Sequence, residues 1–582
     1  MNPKTDLHKH LTPGSTALKV LHIGNIANNG YNIANLFNQA GVQSDLLIGP
    51  YYHIAGCPEW EDSEFDGDIG DQFFPEWHKV KITNGFQRPR WAAQGPWEVC
   101  ISYLLHRNRG NKIRARLLWF WMGVCRRAAS SGKENKIKIS LALGSPKKVG
   151  VVLASKVKNI QHLTFWHIKN ILYLIFWKLK NTLYLAKYHL LSGVLRSARW
   201  ALLSNDFTSP LFYRLREIRR QYTGFYDNKP AQVGLDKTSS SVKVTTGSAA
   251  PEVMEVAKQV KSPEPYKFPY FEEAELVGYQ ALADQLQPLF DYYDVVVGYS
   301  TDGIWPLLAG KKYLAYEHGT IRTLPFEDSL QGRLCKLVYQ EADQVIISNF
   351  DNDLAAKKLG LQRYTCIPHY INEMDVGPEQ GAKIRAKYKS THNADFIVYN
   401  PSRQHWSVQK DAGWEKGNDI FIRGFARFVK EVNENALVIM THWGESLQNS
   451  KRLIADLGIE RNVDWVEPVP HKQMIQYIHA SHVVSDQFLL GTFGGIPAKA
   501  FMHAKPVLSS FDPLIHEWCF KTMPPFLPAR SEADIKESLD NCYKNDSFYS
   551  EVAQKSQIWY QNEHSNEVLL SRMSRVLLNT VN

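Results

Sequence analysis

Two basic residues and a glycine-rich turn in the C-terminal half have the types and spacing of an anion site. Arg403 and Lys416 follow the strand-like run 396–400, and the turn 491–495 precedes a helix-like run at 498–504. The first backbone N–H groups of a helix have no partner within it, and the helix dipole adds positive potential there. Arg supplies a planar fork of donors and Lys a compact charge. The predicted diphosphate ligands are Arg403, Lys416, Gly491, Thr492, Gly494 and Gly495.

Alternating strand-like and helix-like segments must position these residues. A βαβ unit is predicted near the N-terminus, and a second αβ series is predicted from 396 to 509. The predicted elements of the first series are 18–24, 32–40, 42–48, 294–298, 312–317 and 342–348. Such units form parallel sheets that bind ligands at the carboxyl ends of their strands. The sequence therefore predicts an α/β fold built from two parallel-sheet, Rossmann-like halves.

The length of 582 residues and the hydrophobic content of 44% are sufficient for two or three domains. We predict an N-terminal domain at 1–90 and 266–385, a basic helical insertion at 91–227, a disordered linker at 228–265, a C-terminal domain at 386–545 and C-terminal helices at 546–582. The seven cysteines contain no C-x-x-C pair, which indicates neither a zinc site nor a disulfide framework. The start of the chain has no apolar signal-peptide core, so we expect a cytoplasmic location.

The positive charge is concentrated in one block. Residues 107–220 contain 24 Lys or Arg residues and only three acidic ones. Three segments within this block, 157–163, 168–174 and 179–185, repeat at a spacing of eleven, which is about three helical turns. One arc of such a helix is apolar, and a column of lysines borders it.

An apolar arc with basic edges predicts a helix at 157–200 that lies in an anionic membrane surface. Lysines interrupt every run long enough to span the bilayer. A long helix packed on the protein is one alternative. Nucleic-acid binding is a second alternative, although phosphate contacts would leave the apolar arc without a purpose.

The two αβ halves, with a phosphate site in the second, resemble the GT-B glycosyltransferases and most closely the retaining family 4 type. The resemblance covers about 17–50 and 290–582 and implies two Rossmann-like parallel-sheet domains that face a cleft, with the basic insertion in the first. In that family an Arg and a Lys-Gly-x-Asp signature bind the donor diphosphate, and Arg403 and Lys416-Gly417-Asn418-Asp419 match them. The family's N-terminal glycine-rich loop matches Gly24–Gly30.

The resemblance also implies site residues in both halves. His318 matches a His that lies near the transferred sugar, and we expect it and Asp486 to be catalytic. Gly24, Gly30 and Tyr31 are expected on the acceptor side.

The family usually has two Glu residues eight positions apart, and here Gly491 and Lys499 take their places. In the family these carboxylates accept hydrogen bonds from the sugar and ribose hydroxyls, whereas Lys only donates. We expect Lys499 to meet a phosphate or an acidic sugar. Asp486 and Glu467 are the candidates to replace a missing acceptor.

The resemblance implies a retaining hexosyl- or glycosyltransferase with a UDP- or GDP-linked sugar as co-substrate and no cofactor. Oriented cations stabilise a leaving diphosphate, so no metal is expected. The predicted acceptor is a glycan or a lipid-linked molecule at the cytoplasmic membrane surface, in cell-surface polysaccharide or glycoconjugate synthesis. The alternatives are a catalytically inactive GT-B scaffold or binding protein and, with less support, a nucleic-acid-binding protein.

Overall fold

The computed structural model describes residues 18–71, 73–130, 271, 273–373, 377–407, 415–489 and 491–581. The eleven-residue repeats at 157–200, the predicted linker and most of the predicted insertion lie outside these residues. Within them the chain forms two parallel sheets covered by helices, together with a short antiparallel hairpin.

The first sheet contains seven parallel strands whose residues are almost all buried. These strands are β1 (Lys19–Ile23), β2 (Gln43–Ile48), β5 (Ala92–Gln94), β6 (Val295–Tyr299), β7 (Tyr313–Glu317), β8 (Gln344–Ile347) and β9 (Tyr364–Cys366). Their order is β5-β2-β1-β6-β7-β8-β9, so β1 lies beside β6 although some 270 residues separate them in the chain. The hairpin pairs β3 (Phe65–Asp66) with β4 (Lys81–Ile82).

Helices cover both faces of this sheet, as its apolar strands require. The α-helices are α1 (Asn29–Gln39), α2 (Pro58–Asp62), α3 (Trp97–Asn108), α4 (Lys112–Ser130), α5 (Glu273–Phe290), α6 (Ile304–Leu308), α7 (Leu330–Glu341) and α8 (Asp353–Lys358). Strand β5 lies past the predicted domain boundary at residue 90 yet belongs to the first sheet. Helices α3 and α4 pack on the same core, so the start of the predicted insertion is part of this half.

The second sheet confirms the predicted αβ series. Its strands are β10 (Phe396–Asn400), β11 (Ala436–Thr441), β12 (Val463–Val466), β13 (Val483–Ser485) and β14 (Val507–Leu508), in the order β12-β11-β10-β13-β14. Its α-helices are α9 (Pro378–His392), α10 (Asn418–Glu431), α11 (Leu447–Asp456), α12 (His471–Ala480), α13 (Gly495–Met502) and α14 (Glu532–Lys544). Phe421, Phe425 and Phe428 illustrate the cause, because helical spacing places all three in the core beneath β10 and β11.

The last two helices connect the halves. Helix α15 (Asp546–Glu563) packs Trp559 and Tyr560 into the second half. Helix α16 (Asn566–Val581) instead places Leu569, Met573 and Leu577 in a core with residues of β1, α1 and β6 in the first half. The apolar positions at spacings of four keep this face on one side of the helix. The chain therefore ends by returning to the half in which it began.

Among the described residues, no helix combines the length and the apolar character needed to cross a bilayer. All seven cysteines lie in the described ranges, and each is a free thiol.

Candidate functional site

The carboxyl ends of strands from both sheets meet at one cleft of about 420 Å³. His318 follows β7, Arg403 follows β10, and Asp486 follows β13 directly. The sequence-predicted residues that line the cleft are His318, Arg403, Lys416, Asp486, Thr492, Gly494, Gly495 and Lys499. The structure thus brings together residues that the sequence placed in two separate halves.

Two cations lie on the second-half side of the cleft. Lys416 Nζ is 3.5 Å from Gln487 Oε1. Burial lowers the pKa of Lys416; Asp486 opposes this, and the positive charges of Arg403 and Arg322 lower it further. Burial also lowers the pKa of Arg403. Neighbouring positive charges destabilise one another, so a bound anion would stabilise the charged forms of Lys416 and Arg403.

The turn that precedes α13 brings a carboxylate to the start of the helix. Asp486 is buried, and its Oδ1 accepts a hydrogen bond from Ser402 Oγ at 3.2 Å. A Cβ atom at Gly494 would lie 2.9 Å from Asp486 Oδ2, so a larger residue there would push the carboxylate away. Gln487 Nε2 donates to both oxygens of Thr492, at 2.6 and 2.8 Å, and fixes the turn. The Asp486 carboxylate, a hydrogen-bond acceptor, therefore lies beside the N-terminus of α13.

On the first-half side, Asn29 lies between two histidines. Its Nδ2 donates to the carbonyl of Ile26 at 3.1 Å, which identifies this atom as the amide nitrogen. The same Nδ2 is 3.0 Å from Nδ1 of His318, and Oδ1 of Asn29 is 3.1 Å from Nδ1 of His369. His318 Nδ1 is therefore an acceptor, and a neutral His318 carries its proton on Nε2. Burial, with a contribution from Arg322, lowers the pKa of His318 to about 4, so the ring is neutral near pH 7.

A buried carboxyl group anchors the loop that carries His318. Glu317 accepts hydrogen bonds from the backbone N–H groups of Gly319 and Ile321 and, at 2.8 Å, from Asn352 Nδ2. Burial raises the pKa of Glu317 to about 7. These hydrogen bonds fix the backbone that follows β7 and thereby position His318.

Lys499 does not stand alone in the cleft. His471 Nδ1 donates to Glu61 Oε2 at 2.6 Å, and Lys499 Nζ lies 3.5 Å from the same His471 nitrogen. Burial alone would raise the pKa of Glu61, but His471, Lys499 and a hydrogen bond from Asn32 lower it to about 2. Glu61 belongs to α2 in the first half, whereas His471 and Lys499 belong to the second half. The three residues, called the Glu61 cluster below, form a charged contact across the cleft.

The Glu61 cluster predicts a measurable pH dependence of stability. A carboxyl whose folded pKa is about 2, against an ordinary 4.5, contributes stability that is complete above 4.5 and is lost as the pH falls towards 2. The contribution is about 3 kcal/mol. We expect Glu61→Gln to lack it, so that the difference in free energy of unfolding between native protein and variant shrinks with falling pH. Urea titrations at several pH values measure this difference, and a pH-independent difference would contradict the assignment.

Two predicted donor-binding residues lie outside the lining of this cleft. The side chain of Glu467 is 70% exposed, and its Oε1 contacts Nδ1 of His442 at 2.7 Å. Gly491 has a φ of +66°, a conformation that favours glycine, and lies beside Asp512 in a neighbouring surface depression.

The predicted acceptor-side residues are buried behind the cleft wall. A Cβ atom at Gly24 would come 2.3 Å from Asp302 Oδ2, and one at Gly30 would come 2.5 Å from the carbonyl oxygen of Gly24. Tyr31 is buried, and its hydroxyl donates to Asp62 Oδ2 at 2.5 Å. Their neighbours Ala27, Asn29 and Asn32 line the cleft instead. The glycines allow the loop to pack closely, and the asparagines present polar groups.

Several lining residues escaped the sequence analysis: Asn29, Asn32, Glu61, Arg322, His369 and His471. A signal existed for Asn29, which lies within the family-matched loop Gly24–Gly30, whereas His369 follows β9 by three residues and was not singled out. Glu61 had none, because α2 is only five residues long. Within the described ranges, no three His, Cys, Asp or Glu side chains are grouped so that they could hold a metal ion.

No protein-family model matches the chain, and no curated protein sequence matches it. Among solved structures it is similar to HepE of Anabaena in complex with UDP, at 16% identity over 52% of this chain and 84% of that one, with a TM-score of 0.43. It is also similar to sucrose-phosphate synthase of Thermosynechococcus elongatus, at 13% identity over 53% and 80% of the two chains and a TM-score of 0.38. A glycosyltransferase of Rickettsia africae is 14% identical over 56% and 84%, with a TM-score of 0.42.

Two Rossmann-like parallel sheets that face one cleft are the GT-B arrangement, and this is the architecture of the chain.

Proposed function

We propose that the chain transfers a glycosyl group from a nucleotide-sugar donor to an acceptor in the cleft between its two sheets. One observation carries the proposal. Arg403, Lys416 and the first turn of α13 surround the same space as Asp486 and His318. Two half-buried cations and a helix N-terminus suit a diphosphate, and a neighbouring carboxylate and imidazole suit a polyhydroxylated sugar.

The diphosphate would bind Arg403, Lys416 and the backbone of Gly494 and Gly495, with Thr492 beside them. As the bond to the sugar breaks, negative charge grows on the leaving diphosphate. Preorganised cations and N–H groups stabilise that charge more than the charge of the bound donor. We propose that these groups act without a metal ion.

The sugar would lie between Asp486 and His318. The Asp486 carboxylate accepts hydrogen bonds from sugar hydroxyls, the role for which the family uses its paired Glu residues. The neutral His318 ring, with its proton on Nε2, donates to an oxygen of the donor. Lys499 supports the Glu61 carboxylate through the Glu61 cluster. Retention of configuration at the anomeric carbon stays a prediction from the family resemblance.

The acceptor would enter from the first half, past Asn29 and Asn32. We propose a glycan or lipid-linked acceptor, in cell-surface polysaccharide or glycoconjugate synthesis on the inner face of the cytoplasmic membrane. The membrane contact predicted at 157–200 belongs to this proposal. The donor would carry UDP or GDP, and no further cofactor or nucleic acid takes part.

A panel of UDP- and GDP-sugars tests the proposal. A ligand that binds only the folded state stabilises it by about 2.7 kcal/mol at a hundred times its dissociation constant, so one donor should raise the Tm distinctly. That donor is then supplied with a radiolabelled sugar, and free and transferred sugar are separated. If no member of the panel binds, the proposal fails. Binding without turnover would favour the alternative of a catalytically inactive scaffold. That alternative is supported by Gly491 and Lys499, which occupy the positions of the family's two carboxylates.

Asn29→Asp tests the role of His318. A carboxylate at this position accepts hydrogen bonds from both rings and, as an opposite charge, stabilises the imidazolium form. We expect the pKa of His318 to rise from about 4 towards or above its ordinary value of 6.5. The pH profile of turnover should shift with it, and turnover near pH 7 should fall. NMR titration of His318 measures the pKa, with Asn35→Asp on the same helix as the control. An unchanged His318 titration would contradict the assigned hydrogen bond.

A further inference from the structure

Helix α4 is apolar on two opposite faces. Its inner face contributes Ala115 and Met122 to the core of the first half, with Leu118 and Trp119 packed beside them. Ile113, Leu117 and Phe120 point away from that core and are 55%, 37% and 64% exposed. Positions i, i+4 and i+7 fall on one helix face, so these three side chains form a continuous stripe, the outer stripe of α4.

Single exposed apolar residues are ordinary on protein surfaces, whereas a continuous apolar stripe indicates a contact. Among the described residues, the other exposed large apolar side chains are distributed over six separate elements or loops: Phe73 and Phe74 on one loop, then Leu354, Leu489, Leu514, Ile558 and Val581. Only Phe73 and Phe74 are neighbours there; Phe73 stacks on His53, and Phe74 contacts the same ring edge-on. The outer stripe of α4 differs from them because it has three exposed side chains on one regular helix.

The charged side chains of α4 all have one sign. Lys112, Arg114 and Arg116 are exposed beside it. No acidic residue occurs between Glu98 and Glu134, and α4 itself contains five Lys or Arg residues and no Asp or Glu. The partner must therefore offer apolar groups to the stripe and negative charge to its edges.

We propose that the outer stripe of α4 inserts into the surface of an anionic lipid bilayer. Ile113, Leu117 and Phe120 enter the boundary between headgroups and acyl chains, while Lys112, Arg114 and Arg116 contact acidic headgroups. The observations favour a bilayer over a nucleic acid, because phosphate contacts would leave three apolar side chains in water. This deepens the membrane location within the proposed function and depends neither on a bound donor nor on turnover.

Cosedimentation of the full chain with vesicles tests the inference. We expect the native protein to bind vesicles of phosphatidylcholine and phosphatidylserine in a two-to-one ratio and to bind pure phosphatidylcholine weakly. The triple variant Ile113→Gln, Leu117→Gln, Phe120→Gln should bind the mixed vesicles with an affinity at least about tenfold lower. The matched control Leu354→Gln, Leu514→Gln, Ile558→Gln removes three exposed apolar side chains from other elements and should bind as the native protein does.

A second variant, Lys112→Gln, Arg114→Gln, Arg116→Gln, should weaken binding to the mixed vesicles and reduce its sensitivity to salt. The inference is overturned if the apolar variant binds vesicles like the native protein, or if the native protein binds neither vesicle. A change of oligomeric state in the apolar variant, with vesicle binding unchanged, would assign the stripe to protein contacts. Donor binding measured by calorimetry without vesicles stays unaffected in every α4 variant, so failure here is distinct from failure of the proposed function.

Discussion

Replacing both Arg403 and Lys416 by Ala is expected to abolish nucleotide-sugar binding. Each side chain would supply a charge-assisted hydrogen bond to the diphosphate, worth about 1.5–3 kcal/mol. The loss of both therefore lowers the affinity at least about a hundredfold. Isothermal calorimetry with the donor that stabilises the native protein measures the change.

The double variant is expected to remain folded. Burial and the neighbouring positive charges lower the pKa of Lys416, so charged Lys416 is disfavoured in the cleft without a ligand. Removing the pair should leave the free energy of unfolding unchanged or slightly higher. The control is Arg423→Ala with Lys430→Ala, two exposed residues of α10 in the same half. Native-like donor affinity in the Arg403 and Lys416 variant would assign the diphosphate to another place.

The second large effect is expected from Lys499→Glu. The family resemblance makes this substitution look restorative, because it returns a carboxylate to a place where the family has one. The structure predicts the reverse, since the new carboxylate would face the buried Glu61. Glu61 keeps its contact with His471. The substitution removes the nearby positive charge of Lys499 and places a second buried carboxylate beside Glu61, which we expect to cost about 3 kcal/mol through repulsion and desolvation. We expect a clear fall in Tm and in the free energy of unfolding measured with urea.

Two further variants distinguish the cause. Glu61→Gln combined with Lys499→Glu leaves one carboxylate beside His471, so it should recover much of the lost stability. Lys521→Glu changes the sign of an exposed lysine and should change stability by less than about 0.5 kcal/mol. If Lys499→Glu unfolds like the native protein, the contact between Lys499 and the Glu61 cluster does not contribute to stability.

The second half was the more predictable part of the fold. Its strands and helices alternate without long interruption, and the strands are short apolar runs between polar turns. The order along the chain sufficed to place Arg403 after β10 and Asp486 after β13, because parallel strands all end at the same edge. In the first half, β5 was missed because Ala-Ala-Gln is too short for a periodic pattern, although the sheet pairs it with β2.

The sequence by itself determined the two αβ series, the basic residues Arg403 and Lys416 of the anion site, and the absence of the family's paired carboxylates. These are local properties, read from apolar periodicity and residue type within a few tens of positions. Only the tertiary structure decided that Asn29 contacts His318, 289 positions away, and that Glu61 contacts His471, 410 positions away. Such partners come together through the packing of two separately built sheets, and hydrophobic periodicity carries no information about which polar side chains then meet. For the same reason, Lys499 looked like a candidate phosphate ligand in the sequence and is part of a charged contact between the halves in the fold.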